Sequence, residues 1–160
     1  MPIQFYSTRE QPYGCFSNFS PHGFELDGRW WLTSEHYFQA QKFAGTEHEE
    51  AVRRAASPMV AARMGRSRSR PLRRDWDRVK DDVLRRAVLR KFETHAGLRA
   101  ILLGTGDEAI VENAPHDYYW GCGADGTGRN RLGQILMEVR DALRRRGASS
   151  GEAGEDDRGG

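Results

Sequence analysis

The polar and apolar positions divide the chain into short strands, capped helices and polar loops. Ile3 to Tyr6 reads as a short strand. Phe24-Glu25-Leu26 and Arg29-Trp30-Trp31 flank Asp27-Gly28, a pair that supplies the positive φ angles of a type I′ turn, so a hairpin is predicted. Helices are predicted from Thr33 or Ser34 to about Phe43, after a Thr46/Glu49 capping box, and from Ser57-Pro58. After Asp75, residues Trp76, Val79, Val83, Ala87 and Val88 recur at helical spacing. A short helix over 96–103 ends at Gly104, and Leu132, Ile135, Leu136, Val139 and Leu143 form the stripe of a last helix over about 130–145. Ala109-Ile110-Val111 and Tyr118-Tyr119-Trp120 read as strands separated by the Asn113-Ala114-Pro115 break. The pattern predicts one α+β domain over residues 1–146, mostly helical with a small sheet. A Gly-, Ser- and acid-rich tail, 147–160, is expected to be disordered.

Composition narrows the class. The chain has 160 residues, 38% hydrophobic and 30% charged, long enough to bury roughly 68–70% of its unfolded surface without a metal or disulfides. No apolar run approaches the ~20 residues of a bilayer span, and no charged-then-apolar leader opens the chain. Cys15 and Cys122 fit neither a zinc spacing nor a disulfide framework, so a reducing cytoplasm is expected. The net charge of +2 conceals a division: residues 53–91 carry 14 Lys and Arg against four Asp. Arginine outnumbers lysine 22 to 3, which reads as codon bias and draws attention to Lys42, Lys80 and Lys91.

Three stretches are unusual for plain structure. Gly14 to Ser20 is a polar and aromatic loop. Thr33 to Phe43 places Glu35, Gln39 and Lys42 on one helix face, with Phe38 and Phe43 free to point to the core. Asn113 to Gly133 packs His116, Asp117, two tyrosines, Trp120 and several glycines before a helix. Its run 121–128 is either a hairpin turn or an anion cradle, and it is neither a Rossmann fingerprint nor a Walker loop. His36 and His116 lack a third partner at ligand spacing, so no metal site is expected.

Ser17-Asn18-Phe19-Ser20-Pro21, Ser34 through Phe43, Asp117-Tyr118-Tyr119-Trp120-Gly121 and Asn130-Arg131-Leu132-Gly133 together resemble the NADAR (YbiA-like) family. The resemblance runs in order from about Ile3 to Arg144 and includes Gly65-Arg66 and the Arg73–Lys80 stretch. It implies an N-glycosidase that needs no cofactor. One branch of the family acts on phosphoribosylamino-pyrimidine intermediates of riboflavin synthesis, and another removes ADP-ribose from guanine in nucleic acid. Both substrates attach ribose C1 to an exocyclic nitrogen. Glu35, Lys42 and Asp117 are the catalytic candidates. Substrate-binding candidates are Asn18, Phe19, His36, Gln39, Arg66, Arg73, Tyr118, Trp120, Gly121 and Asn130, with Phe19 and Trp120 as stacking surfaces and Arg66 and Arg73 for phosphate.

Two mechanisms follow. In the first, Lys42 forms a Schiff base with the opened sugar, which an always-protonated arginine cannot do. In the second, Asp117 stabilises an oxocarbenium-like centre while Glu35 activates water. Two rivals are a non-catalytic ADP-ribose or NAD-binding module and a basic nucleic-acid-binding protein without chemistry. The first has no need for Glu35, Lys42 and Asp117 together. Against the second, the arginine-rich segment holds one aromatic residue, Trp76, and the others lie outside it.

Overall fold

Asp27 and Gly28 turn the chain at φ 55° and 77°, the two left-handed conformations that a type I′ hairpin requires. They close β2 (Phe24–Leu26) onto β3 (Arg29–Trp31), with Phe24 opposite Trp31. The Asp27 carboxylate then accepts from the Tyr37 hydroxyl at 2.8 Å and from Arg86 at 2.6 Å, which fastens the hairpin to two helices. The computed structural model describes the backbone of residues 1–156 and side chains through residue 148. Among these residues the chain forms six helices and two two-stranded sheets, an α+β fold with more helix than strand.

Three helices begin on the side-chain caps expected of them. α1 (Ser34–Gln41) starts at Thr33, whose hydroxyl accepts from the His36 N–H. It ends short of Phe43, because the N–H groups of Lys42, Phe43 and Ala44 reach back only three residues, a tighter 3-10 pattern. α2 (Glu47–Arg53) is capped by Thr46, but the expected reciprocal box gives way to an ion pair between Glu49 and Arg29, 3.7 Å apart. Ser57 caps α3 (Pro58–Arg66), and Pro58 sits where its missing N–H costs nothing.

α4 (Trp76–Thr94) and α5 (Ala96–Gly104) follow the predicted periodicity. β1 (Ile3–Phe5) pairs in parallel with β4 (Ile110–Glu112), so the helices up to α5 lie in the crossover between them. The core joins these layers. Phe16 meets Phe5 and Phe92 edge-on at 5.8 and 5.9 Å, and the Leu132–Leu143 stripe is buried as its spacing requires.

Two expectations are corrected. Tyr118-Tyr119-Trp120 is not a strand. Asp117 Oδ1 accepts from the N–H groups of Tyr119 and Trp120 at 3.0 and 2.8 Å, and this local turn displaces sheet pairing. The carbonyls of Tyr118, Tyr119 and Trp120 accept instead from Arg129, Arg131 and Leu132. The last helix, α6 (Arg131–Asp156), also runs beyond 145 into the segment read as a tail. No proline interrupts this stretch, and helix propagation needs only local bonds. Residues 157–160 of the expected tail lie outside the described residues.

α6 presses on β4 through Gly133. A Cβ there would lie 2.1 Å from the Ile110 carbonyl oxygen, whereas one at Gly97 in α5 meets nothing within 4 Å. Gly133→Ala is therefore expected to destabilise the fold by about 1–3 kcal/mol despite alanine's better helix propensity. Gly97→Ala should be neutral or stabilising by up to about 1 kcal/mol. Urea melts of the two variants check the opposite signs.

Candidate active site

Glu35, Gln39 and Lys42 share the predicted face of α1, and all three are buried. Gln39 Nε2 donates to Glu35 Oε1 at 2.7 Å, the i,i+4 contact their spacing allows. Gln39 Oε1 is buried with no hydrogen-bond partner among the described residues. α3 reaches this face because residue 65 is glycine: a Cβ there would stand 1.8 Å from Gln39 Oε1. Burial pushes the Glu35 carboxyl above its ordinary range, opposed by the Gln39 bond and by the Lys42 and Arg66 charges, while Asp117 pushes it higher.

Lys42 follows the last turn of α1. Its Nζ donates to the Gly65 carbonyl at 3.4 Å and lies 5.7 and 5.8 Å from the ring centres of Phe38 and Trp76. Among the described residues it has no ion-pair partner. Burial pushes its ammonium down to about 8, aided by repulsion from Arg68, Arg66 and Lys80 and opposed by Glu35. Arg68 donates to the same Gly65 carbonyl at 2.6 Å, so one backbone oxygen serves two cations. A buried amine that titrates near neutrality is a nucleophile in waiting.

The loop after β4 supplies the opposite wall. Asp117 is held by its two backbone N–H bonds, and its carboxylate acts electrostatically on both Glu35 and Glu112. Trp120 meets Phe38 edge-on at 5.2 Å, and Phe38 packs on Trp76 at 5.1 Å, forming an aromatic row beside Lys42. Asn18 joins α1 at its start: its carbonyl accepts from the Glu35 N–H at 3.1 Å and its Oδ1 from the Ser34 hydroxyl at 2.9 Å. The loop bearing Asn18 is fixed from below by buried Lys91, which donates to the carbonyls of Cys15 and Ser17 at 2.5 and 3.1 Å. Phe19 follows on the same loop, half-buried, its N–H on the Ser17 hydroxyl. Arg66 is exposed at the end of α3, close enough to act on both Glu35 and Lys42.

Other candidates have structural duties that occupy their polar atoms. His36 is fully buried, with one ring nitrogen on Thr33 Oγ1 and the other on the Ala55 carbonyl. It lines a separate cavity of about 320 Å³ with Trp30, Leu32 and Pro58. Asn130 accepts from the Glu112 N–H with Oδ1 and donates to the Ile110 carbonyl with Nδ2, which ties β4 to α6. The Arg73 guanidinium forks onto Asp75 at 2.6 and 2.9 Å, and the Arg73 backbone N–H donates to the Lys42 carbonyl. Gly121 is buried where a Cβ would meet Ala114 at 2.8 Å, and Tyr118 is an exposed lid over Gly123.

The sequence reading missed Glu112 and Arg68, and it named Gly65 within the family resemblance without giving it a role. Glu112 had a visible signal: it stands two residues after fully buried Ile110 on a strand, hence on the same inward face. Gly65 and Arg68 are significant only through the approach of α3 to α1. The described residues contain no group of three or more His, Cys, Asp or Glu able to hold a metal ion, and no helix long and apolar enough to cross a membrane.

The NADAR domain family matches residues 4–144. The chain is 55% identical over 141 residues to N-glycosidase YbiA of Escherichia coli strain K12, covering 88% of each protein. It is 41% identical to the maize protein called riboflavin biosynthesis protein PYRR, chloroplastic, over 97% of this chain and 27% of that protein. The NMR structure of E. coli YbiA superimposes with a TM-score of 0.86 at 53% identity, covering 92% of this chain and 88% of that one.

Repulsion from Arg68 predicts how Lys42 titrates. Amine-reactive labelling of Lys42, followed by peptide mass spectrometry, should show a midpoint near 8. Arg68→Ala should move that midpoint upward, since the nearest opposing cation is gone. An unmoved midpoint would assign the shift to burial alone.

Proposed function

As this chain belongs to the NADAR family and is an N-glycosidase, we propose that it hydrolyses the bond between ribose C1 and an exocyclic base nitrogen through a Schiff base on Lys42. The observation that carries the reading is the buried Lys42 amine, pushed down to about 8, with no ion-pair partner among the described residues and on the same face as Glu35. A binding module gains nothing from an uncompensated buried amine beside buried carboxyls, each of which weakens the fold.

The sugar ring opens to an imine as the exocyclic nitrogen gives up its hydrogen and the ring oxygen gains one. The neutral Lys42 amine adds to C1. The C1–base nitrogen bond then breaks, its electron pair staying on a nitrogen that takes up a proton. Water adds to the remaining C1–Lys42 iminium and releases the sugar. Glu35, whose carboxyl burial pushes upward, is placed to exchange a proton with the ring oxygen, and Gln39 orients it. Asp117 and the Phe38–Trp120 row border the base, while Arg66 and Arg68 attract the phosphate.

The matched maize protein's name supports a phosphoribosylamino-pyrimidine as the substrate. ADP-ribosylated guanine in nucleic acid is the second reading, favoured by Arg63, Arg66, Arg68, Arg74 and Arg78, which are exposed and form no ion pair among the described residues. Cys15 and Cys122 are free thiols, which fits a reducing cytoplasm.

Assaying both substrates side by side decides between them, and cleavage that falls steeply with salt selects the nucleic acid. Borohydride should trap the sugar on Lys42. Lys42→Ala should lose roughly a thousandfold or more in kcat, the scale of losing a covalent nucleophile. The wild-type kcat/KM should rise with pH up to about 8 as Lys42 loses its proton. Turnover persisting in Lys42→Ala would overturn the Schiff base and leave the two-carboxylate route.

A further inference from the structure

Glu112 lies at the end of β4 with both backbone groups committed. Its N–H donates to Asn130 Oδ1 at 2.9 Å, and its carbonyl accepts from the Cys122 N–H at 2.9 Å. These bonds, with the parallel pairing to Phe5, fix the backbone from which the side chain projects. Its Oε2 is buried and has no hydrogen-bond partner among the described residues. Gln39 Oε1, the other such atom near these carboxyls, is turned toward Gly65 of α3 and does not share this position. Buried polar atoms are normally satisfied, so the Glu112 orphan marks the place of a missing polar group.

We propose that Glu112 is a further catalytic residue of this site, the acid that protonates the departing base nitrogen. The inference rests on the N-glycosidase reading above. The groups that face Glu112 are Glu35 from α1 and Asp117 from the loop, both carboxyls. Burial first, and then these two like charges, push Glu112 up to about 7, so a large share of it is still protonated near neutrality. A carboxylic acid with a buried, unpartnered oxygen is equipped to donate, as the raised acid of a glycosidase pair does.

The proton passes from the Glu112 carboxyl to the exocyclic nitrogen as the C1–N bond breaks, and the bond's electron pair stays on nitrogen. The water that adds to C1 returns a proton to Glu112. The division of labour is then Lys42 on carbon, Glu35 at the ring oxygen and Glu112 at the leaving group. Asp117 keeps the Glu112 proton in place through its charge.

The test uses the whole protein and two ribosyl-5-phosphate substrates, one carrying an ordinary aminopyrimidine and one an electron-poor nitro-substituted amine that departs without a proton. Glu112→Gln, equal in size, should lose roughly 10²-fold or more in kcat on the first, the range of general acid catalysis, and less than about fivefold on the second. Its kcat/KM should also lose the fall that the wild type shows above about pH 8, where the gain in neutral Lys42 no longer offsets the loss of the Glu112 acid. Glu112→Asp, which keeps the acid, should retain most of the ordinary-substrate activity. Equal losses on both substrates, or no loss on either, would overturn the role of Glu112 while leaving the glycosidase intact. A wild-type protein that cleaves neither would overturn the underlying reading as well. A Glu112→Gln protein that fails to fold leaves two deciding measurements: the wild-type alkaline limb, whose absence overturns the proposal, and the substrate dependence of Glu112→Asp.

Discussion

The burial of α1 on nearly every side is the constraint on which the site depends. α2, α3 and α4 all pack against it, and Ser34 through Ala40 are buried without a break. A helix in that position would ordinarily be apolar all round, yet this one carries Glu35, His36 and Gln39, with Lys42 just past its end. Burying such groups is costly unless each finds a partner. The structure meets that cost unevenly. His36 is fully satisfied, whereas the face toward α3 keeps a carboxyl, an amine and a bare amide oxygen in a low-dielectric setting. The same burial displaces Glu35 upward and Lys42 downward, so both approach the neutral forms that proton transfer and nucleophilic attack need.

The second wall is made by fastening an irregular loop. Asn130, itself at φ 52°, replaces sheet partners with its side-chain amide and closes the loop between β4 and α6. Tyr119 docks the loop on α4 through a 2.6 Å bond to Asp81, with Lys80 4.0 Å from its ring centre. With both ends and its middle fixed, the loop holds Asp117, Trp120 and the neighbouring Glu112 against α1. A site assembled from a rigid helix and an over-determined loop needs little rearrangement to be competent.

The arginine-rich segment divides in the same way. Arg53, Arg73, Arg85 and Arg86 are spent on internal ion pairs. Arg66 and Arg68 stand at the mouth of the Lys42 site and shape its titration at the same time. A surface of surplus charge therefore also acts on one buried amine, which composition alone does not disclose.

Local rules account for much of what was legible in the chain. The Asp27-Gly28 hairpin, the Thr33, Thr46 and Ser57 caps, the α4 and α6 stripes and the shared face of Glu35, Gln39 and Lys42 all depend on neighbours within a few residues. The motif resemblance supplied the family for similar reasons, since it reads ordered residues and not contacts. Tyr118-Tyr119-Trp120 looked like a strand because its propensity is strand-like, but the Asp117 turn and the carbonyl bonds to α6 overrode that preference. His36, Asn130 and Arg73 looked like ligands because they are polar residues inside the motifs. Only the folded chain supplied the intramolecular partners that engage both His36 ring nitrogens, the Asn130 amide and the Arg73 fork. Glu112 shows the reverse: an ordinary strand-end residue, half-buried, has one carboxyl oxygen taken out of water and set beside the charges of Glu35 and Asp117. The sequence determined the elements and the helix face, whereas packing across distant segments decided which polar groups were left unsatisfied, because desolvation and charge proximity are properties of the assembled interior.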